Sequence, residues 1–128
     1  MRKWKSVLYF TLAVTTGSVL AAEVSIDEDY MQVMEDRQKS LTSNIALKNG
    51  QAAVEDAKEL DQMFNDVESF YAHKDNATDA VNWTKESKDL AVAITKYVAS
   101  NDFDSASMKA VSLAKTCKEC HSVYKKDS

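Results

Sequence analysis

The sequence contains no proline and only two glycines, Gly17 and Gly50. The residues that most often break or kink a helix are therefore almost missing. Cysteine is nearly as scarce. Cys117 and Cys120 are the only two, which excludes a disulfide-dense scaffold. With His73 and His121 the only histidines, a four-ligand zinc site would have to recruit every Cys and His in the chain. Basic residues are in deficit, at 16 Lys and Arg against 20 Asp and Glu. A nucleic-acid-binding protein wants a basic face, so the balance argues against that class.

What is present begins with a stretch that reads as an export signal. Arg2, Lys3 and Lys5 precede an apolar stretch over 7–20, and Ala21-Ala22 supplies small residues for cleavage. The stretch falls short of the roughly 20 residues of a membrane span. Residues 1–22 are therefore expected to be removed, leaving no membrane anchor. The three leader cations taken from 16 leave 13 basic against 20 acidic residues, a net charge of −7 for the mature chain. That charge suits a neutral or basic protein partner.

The mature chain, 23–128, is long enough for one small domain. Its apolar residues recur at helical spacing in four segments. The first spans 26–48, with Ser25 and Glu28 as a capping box and Ile26, Tyr30, Val33, Met34, Leu41 and Ile45 on its apolar face. Asn49-Gly50 would end it, Gly50 taking a left-handed conformation. The second spans 51–71, with Val54, Ala57, Leu60, Phe64, Val67 and Tyr71 aligned. The third spans 79–100, marked by Trp83, Ser87, Leu90, Ile94, Tyr97 and Val98. The fourth starts near Phe103 and runs to 125, with Ala106, Ala110, Val111, Ala114, Cys117, His121 and Tyr124 inward. Four similar helices joined by short turns predict an all-α fold, an antiparallel up-down-up-down four-helix bundle.

The fourth helix carries Cys117-Lys118-Glu119-Cys120-His121. Cys-x-x-Cys-His is the spacing that attaches c-type haem. Two thiols one turn apart can each form a thioether, and the adjacent imidazole can reach the iron. A thioredoxin-like redox pair would instead open a helix after a strand, and no strand pattern precedes this motif. Export fits, because free thiols outside the cytoplasm would otherwise tend to oxidise.

His121 leaves the second axial position of the iron to be assigned. In an up-down bundle the turns after the first and third helices share an end. His121 lies about 17 residues into the fourth helix, roughly 25 Å from that end. The same depth on the first helix falls about 14 to 17 residues before its end, at Met34 and Met31. Methionine opposite histidine is an established axial pair that raises the reduction potential. Met34 lies nearer the centre of the apolar face and Met31 at its border, and both remain candidates. His73 falls in the far turn, so no distal histidine of a peroxidase type is expected. The chain reads as a carrier and not an enzyme.

The stretch from Cys117 to Lys125 resembles the C-terminal signature of the class II c-type cytochromes, which include cytochrome c prime. Arg37-Gln38-Lys39-Ser40-Leu41 is similar to their first helix. That resemblance implies a four-helix bundle in which the residue matching Leu41 lies over the distal haem face. In members that bind NO or CO, this residue is apolar and the iron is five-coordinate. By the depth count, Leu41 stands roughly 15 Å from the level of His121. The mature chain also resembles cytochrome b562, a periplasmic electron carrier. Glu28-Asp29-Tyr30-Met31 is similar to the segment holding that family's axial methionine, and Cys120 to Tyr124 falls where its axial histidine lies. That family binds haem without covalent bonds, so Cys117 and Cys120 imply a c-type relative. The expectation is a periplasmic electron-transfer protein with one covalent haem c on Cys117 and Cys120. Its iron would be held by His121 and by Met31 or Met34. It would meet redox partner proteins, and its exposed helix faces would allow a homodimer.

Overall fold

The computed structural model describes residues 24–124. The expected leader, and the cations Lys125 and Lys126, lie outside them. Four helices make up the fold: α1 Glu28–Ala46, α2 Gly50–Ala72, α3 Thr78–Ala99 and α4 Phe103–Tyr124. Among the described residues there is no strand, and no helix is long and apolar enough to cross a membrane. The helices pack as a bundle, each against its neighbour in sequence and α1 against α4. The α1–α4 seam is the thinnest of these contacts.

Each helix sends one large side chain into complete burial: Leu41, Leu60, Ile94 and Leu113. Removing each from water is worth about 1.5–3 kcal/mol. Ala53, Ala57, Ala80, Ala106 and Ala110, also buried, let the helices approach closely between those anchors. Polar pairs fix which faces meet. Asp56 of α2 is buried and accepts hydrogen bonds from Ser40 Oγ at 2.7 Å, Asn44 Nδ2 at 2.8 Å and Arg37 Nη1 at 3.0 Å. Nearer the start of α1, Tyr30 Oη donates to Asp66 at 2.8 Å. Lys88 of α3 pairs with Glu68 of α2 at 3.0 Å.

The local signals differ from the sequence reading in four places. The first helix is capped by Asp27, whose carboxylate accepts from Tyr30 N at 2.9 Å, and not by Ser25. A carboxylate is as good a cap as a hydroxyl, and Asp27 stands where the helix begins. The left-handed turn residue after α1 is Lys48, at φ 58°, while Gly50 opens α2. The chain turns two residues early because Leu47 and Lys48 bond back to Ser43 and Ile45. Val33 and Val111 are exposed. On α4 the inward position goes to Leu113, about 200° around the axis from Val111, because the larger side chain removes more surface from water.

Candidate functional site

A cavity of about 280 Å³ lies within the bundle, with walls from all four helices. From α4 come Ala114, Thr116, Cys117, Cys120 and His121. Facing them, α1 contributes Met31, Met34 and Gln38. Leu60, Phe64 and Val67 of α2 and Trp83, Thr84 and Ser87 of α3 complete the walls. Leu60 belongs to both the cavity wall and the fully buried core, so the space rests directly on packed side chains. The exposed members of the lining are Glu35, Lys39 and Lys118, from α1 and α4. The mouth therefore opens along the thin α1–α4 seam. Lys39 and Glu35 pair across one turn there at 2.8 Å.

The space exists because small side chains occupy inward positions at this depth. Thr84, Ser87 and Thr116 are buried. Each turns its hydroxyl back to a carbonyl of its own helix: Thr84 to Ala80 at 2.7 Å, Ser87 to Trp83 at 2.9 Å and Thr116 to Ser112 at 3.1 Å. With their donors used, these residues present mainly apolar surface to the cavity.

All five residues singled out in the sequence line this one space: Met31, Met34, Cys117, Cys120 and His121. Met34 is buried and Met31 half-buried. Both cysteines are free thiols, and burial pushes each up to about 11. Cys120 adds to the effect at Cys117, as the carboxylate of Asp79 does at Cys120. Leu41 is fully buried in the core and is not part of the cavity wall.

His73 departs from expectation. It follows α2 with its Nδ1 2.6 Å from the Ser69 carbonyl. Two residues earlier, the Tyr71 ring lies 4.9 Å from that of Tyr124. The turn carrying His73 thus stands at the motif's end of the bundle, not the far one. His73 itself is exposed and outside the cavity wall. Among the described residues no three His, Cys, Asp or Glu side chains gather as ligands for a metal ion.

Sequence reasoning missed Thr84 and Thr116 as wall residues. Their signal was small, self-satisfied hydroxyl residues beside apolar stripes, at the depth of the motif. Compared with known families, curated proteins and solved structures, the chain matches none.

Proposed function

We propose that this chain is a periplasmic monohaem c-type cytochrome whose work is electron transfer. One observation carries the reading: Cys117, Cys120 and His121 on α4 share an apolar cavity with Met31 and Met34 on α1. Two thiols and an adjacent imidazole facing an apolar space are the groups a covalently attached haem requires, and either methionine thioether could supply the second iron ligand. Cys117 and Cys120 would carry the thioether links. His121 would be one axial ligand and Met31 or Met34 the other.

The bundle is proposed to run up, down, up and down. The three-residue connections 47–49 and 100–102 support this. So do the cross-helix pairs: Tyr30, Arg37 and Asn44 of α1 meet Asp66, Glu59 and Asp56 of α2, one series rising as the other falls.

Haem iron supplies a one-electron couple, and the protein's part is to set its potential and surroundings. A thioether ligand favours the reduced iron and raises the potential. The walls of Leu60, Phe64, Val67 and Trp83 exclude water and lower the local dielectric. Lys39 and Lys118 at the mouth would favour an anionic group of the cofactor there. The net negative charge of the mature chain suits a redox partner with a neutral or basic docking face.

The test is the optical spectrum of the matured protein, oxidised and reduced, with and without carbon monoxide. A low-spin spectrum with a methionine–iron band and no carbon monoxide shift is expected. A high-spin spectrum that shifts with carbon monoxide would overturn the methionine assignment. It would leave a five-coordinate, cytochrome c prime-like protein binding NO or CO.

A further inference from the structure

The turn of α4 that bears Cys117, Cys120 and His121 lines the cavity on one side, while both cysteines also pack against the core. The cavity mouth runs along the α1–α4 seam, the thinnest of the helix contacts. A turn that borders a cavity near the end of its helix opens more readily than the packed middle of that helix. Contacts just beyond the motif can steady it.

The residue that follows the motif by one turn supplies the hold. Tyr124 Oη donates to the carboxylate of Asp79 in the first turn of α3. Its ring packs on the buried ring of Tyr71, near the end of α2, at a centroid distance of 4.9 Å. Tyr71 is itself braced by Phe70, edge to face at 5.2 Å, and Lys74 lies over the Phe70 ring at 4.2 Å. Asp79 also accepts from Ala80 N at 2.8 Å, which fixes its carboxylate at the start of α3. Two helices that do not carry the motif thus meet on one side chain just beyond it.

We infer that Tyr124, held by Asp79 and Tyr71, is a positioning residue that clamps the Cys117–His121 turn and fixes the direction in which His121 is presented. The inference rests on the proposed haem reading for its purpose, but the clamp itself is a property of the chain. It acts at long sequence range, because Asp79 lies 45 positions from Tyr124. It also divides the work: α1 provides the opposite wall and the mouth, while α2 and α3 hold the ligand turn.

Three variants test it: Tyr124→Phe, which keeps the ring and loses the donor; Asp79→Ala, which loses the acceptor; and Asp79→Asn, which keeps an acceptor oxygen. Amide hydrogen exchange is read on the full chain without haem. Tyr124→Phe and Asp79→Ala should each speed exchange at residues 117–124 about fivefold. Core amides such as those of Leu60 and Ile94 should stay unchanged, and Asp79→Asn should restore most of the protection. No local change, or equal acceleration throughout the molecule, would overturn the clamp.

Paramagnetic resonance of the oxidised haem protein then reads the ligand. Tyr124→Phe should broaden or split the low-spin signal, and Asp79→Asn should keep it sharp. An unchanged signal in Tyr124→Phe would overturn the positioning role. Failure of the haem reading looks different: mass measurement would find no covalent haem on the wild-type chain, while the exchange experiment would still decide the clamp.

Discussion

Asp56 is only 4% exposed, yet its carboxylate stands 3.0 Å from Arg37 Nη1. A buried carboxylate is costly to desolvate unless charge and hydrogen bonds compensate it. Arg37, Ser40 and Asn44 provide that compensation from one face of α1. The network joins the helix bearing Met31 and Met34 to the rest of the bundle.

Removing the hub should therefore loosen α1. Asp56→Ala is expected to cost about 2–4 kcal/mol, because three donors lose their shared acceptor. For a domain of this size that corresponds to a fall of roughly 10–20 °C in Tm. Glu59→Ala, which removes only the exposed second partner of Arg37, should shift Tm by no more than about 2 °C. Thermal denaturation of the two variants checks this, and similar losses for both would sink the argument.

The turn between α1 and α2 offers a gain in stability. Lys48 holds φ at 58°, where a side chain costs roughly 1 kcal/mol, so Lys48→Gly should stabilise. Gly50 lies in a helix, and a Cβ built there would meet Val98 Cγ1 at 3.5 Å and Phe103 Cζ at 3.7 Å, ordinary contact distances. Gly50→Ala should add about 0.4–1 kcal/mol by restricting the unfolded chain. Urea unfolding should show both midpoints rising. A loss with Gly50→Ala would mean that the site cannot hold even a methyl group.

This turn also shows where the sequence was readable and where it was not. The number of helices and most of their limits follow from the missing proline and glycine and from apolar spacing. Which residue takes the left-handed conformation does not follow, because the hydrogen bonds of Leu47 and Lys48 back into α1 outweigh the usual preference for glycine. That Met31 and Met34 line one cavity with His121 was legible from helical rise taken together with an assumed up-down order of the helices. The buried Asp56 was not, although Arg37, Ser40 and Asn44 form a polar face that interrupts the apolar one on α1 and so implied a partner. Leu113 displaced Val111 inward for reasons of size that periodicity does not weigh.

The cavity should respond to filling. Ala114 lines it from α4 and is half-buried. Ala114→Leu adds apolar volume where space already exists, so it should stabilise the haem-free chain by about 1 kcal/mol instead of overpacking it. The same side chain would take room that the proposed haem needs, so the yield of covalent haem should fall at least severalfold. Thermal unfolding without haem and mass measurement after maturation read the two effects. A destabilised haem-free chain would mean that the space is smaller than described.

The two thiols predict a pH dependence of the haem-free protein. Burial is the main cause that lifts Cys117 and Cys120 to about 11, from an ordinary value of 9.0. The neutral thiol is thus favoured by folding. The associated stability is fully present below about pH 9 and is lost as pH rises toward 11. The urea midpoint of the wild-type chain should fall more steeply over that range than that of the Cys117→Ala, Cys120→Ala double variant. Tyrosines also titrate at these pH values, and Tyr71 and Tyr124 are shifted upward too, but they are present in both chains and largely cancel in the comparison. Reactivity gives an independent measure, because only the thiolate is nucleophilic. At pH 8 the native thiols should be alkylated by iodoacetamide at least about tenfold more slowly than in urea, even after discounting the partial exposure of Cys120. Parallel urea profiles and equal alkylation rates would mean that the thiols face water, and that the cavity is not the apolar space a covalently held haem needs.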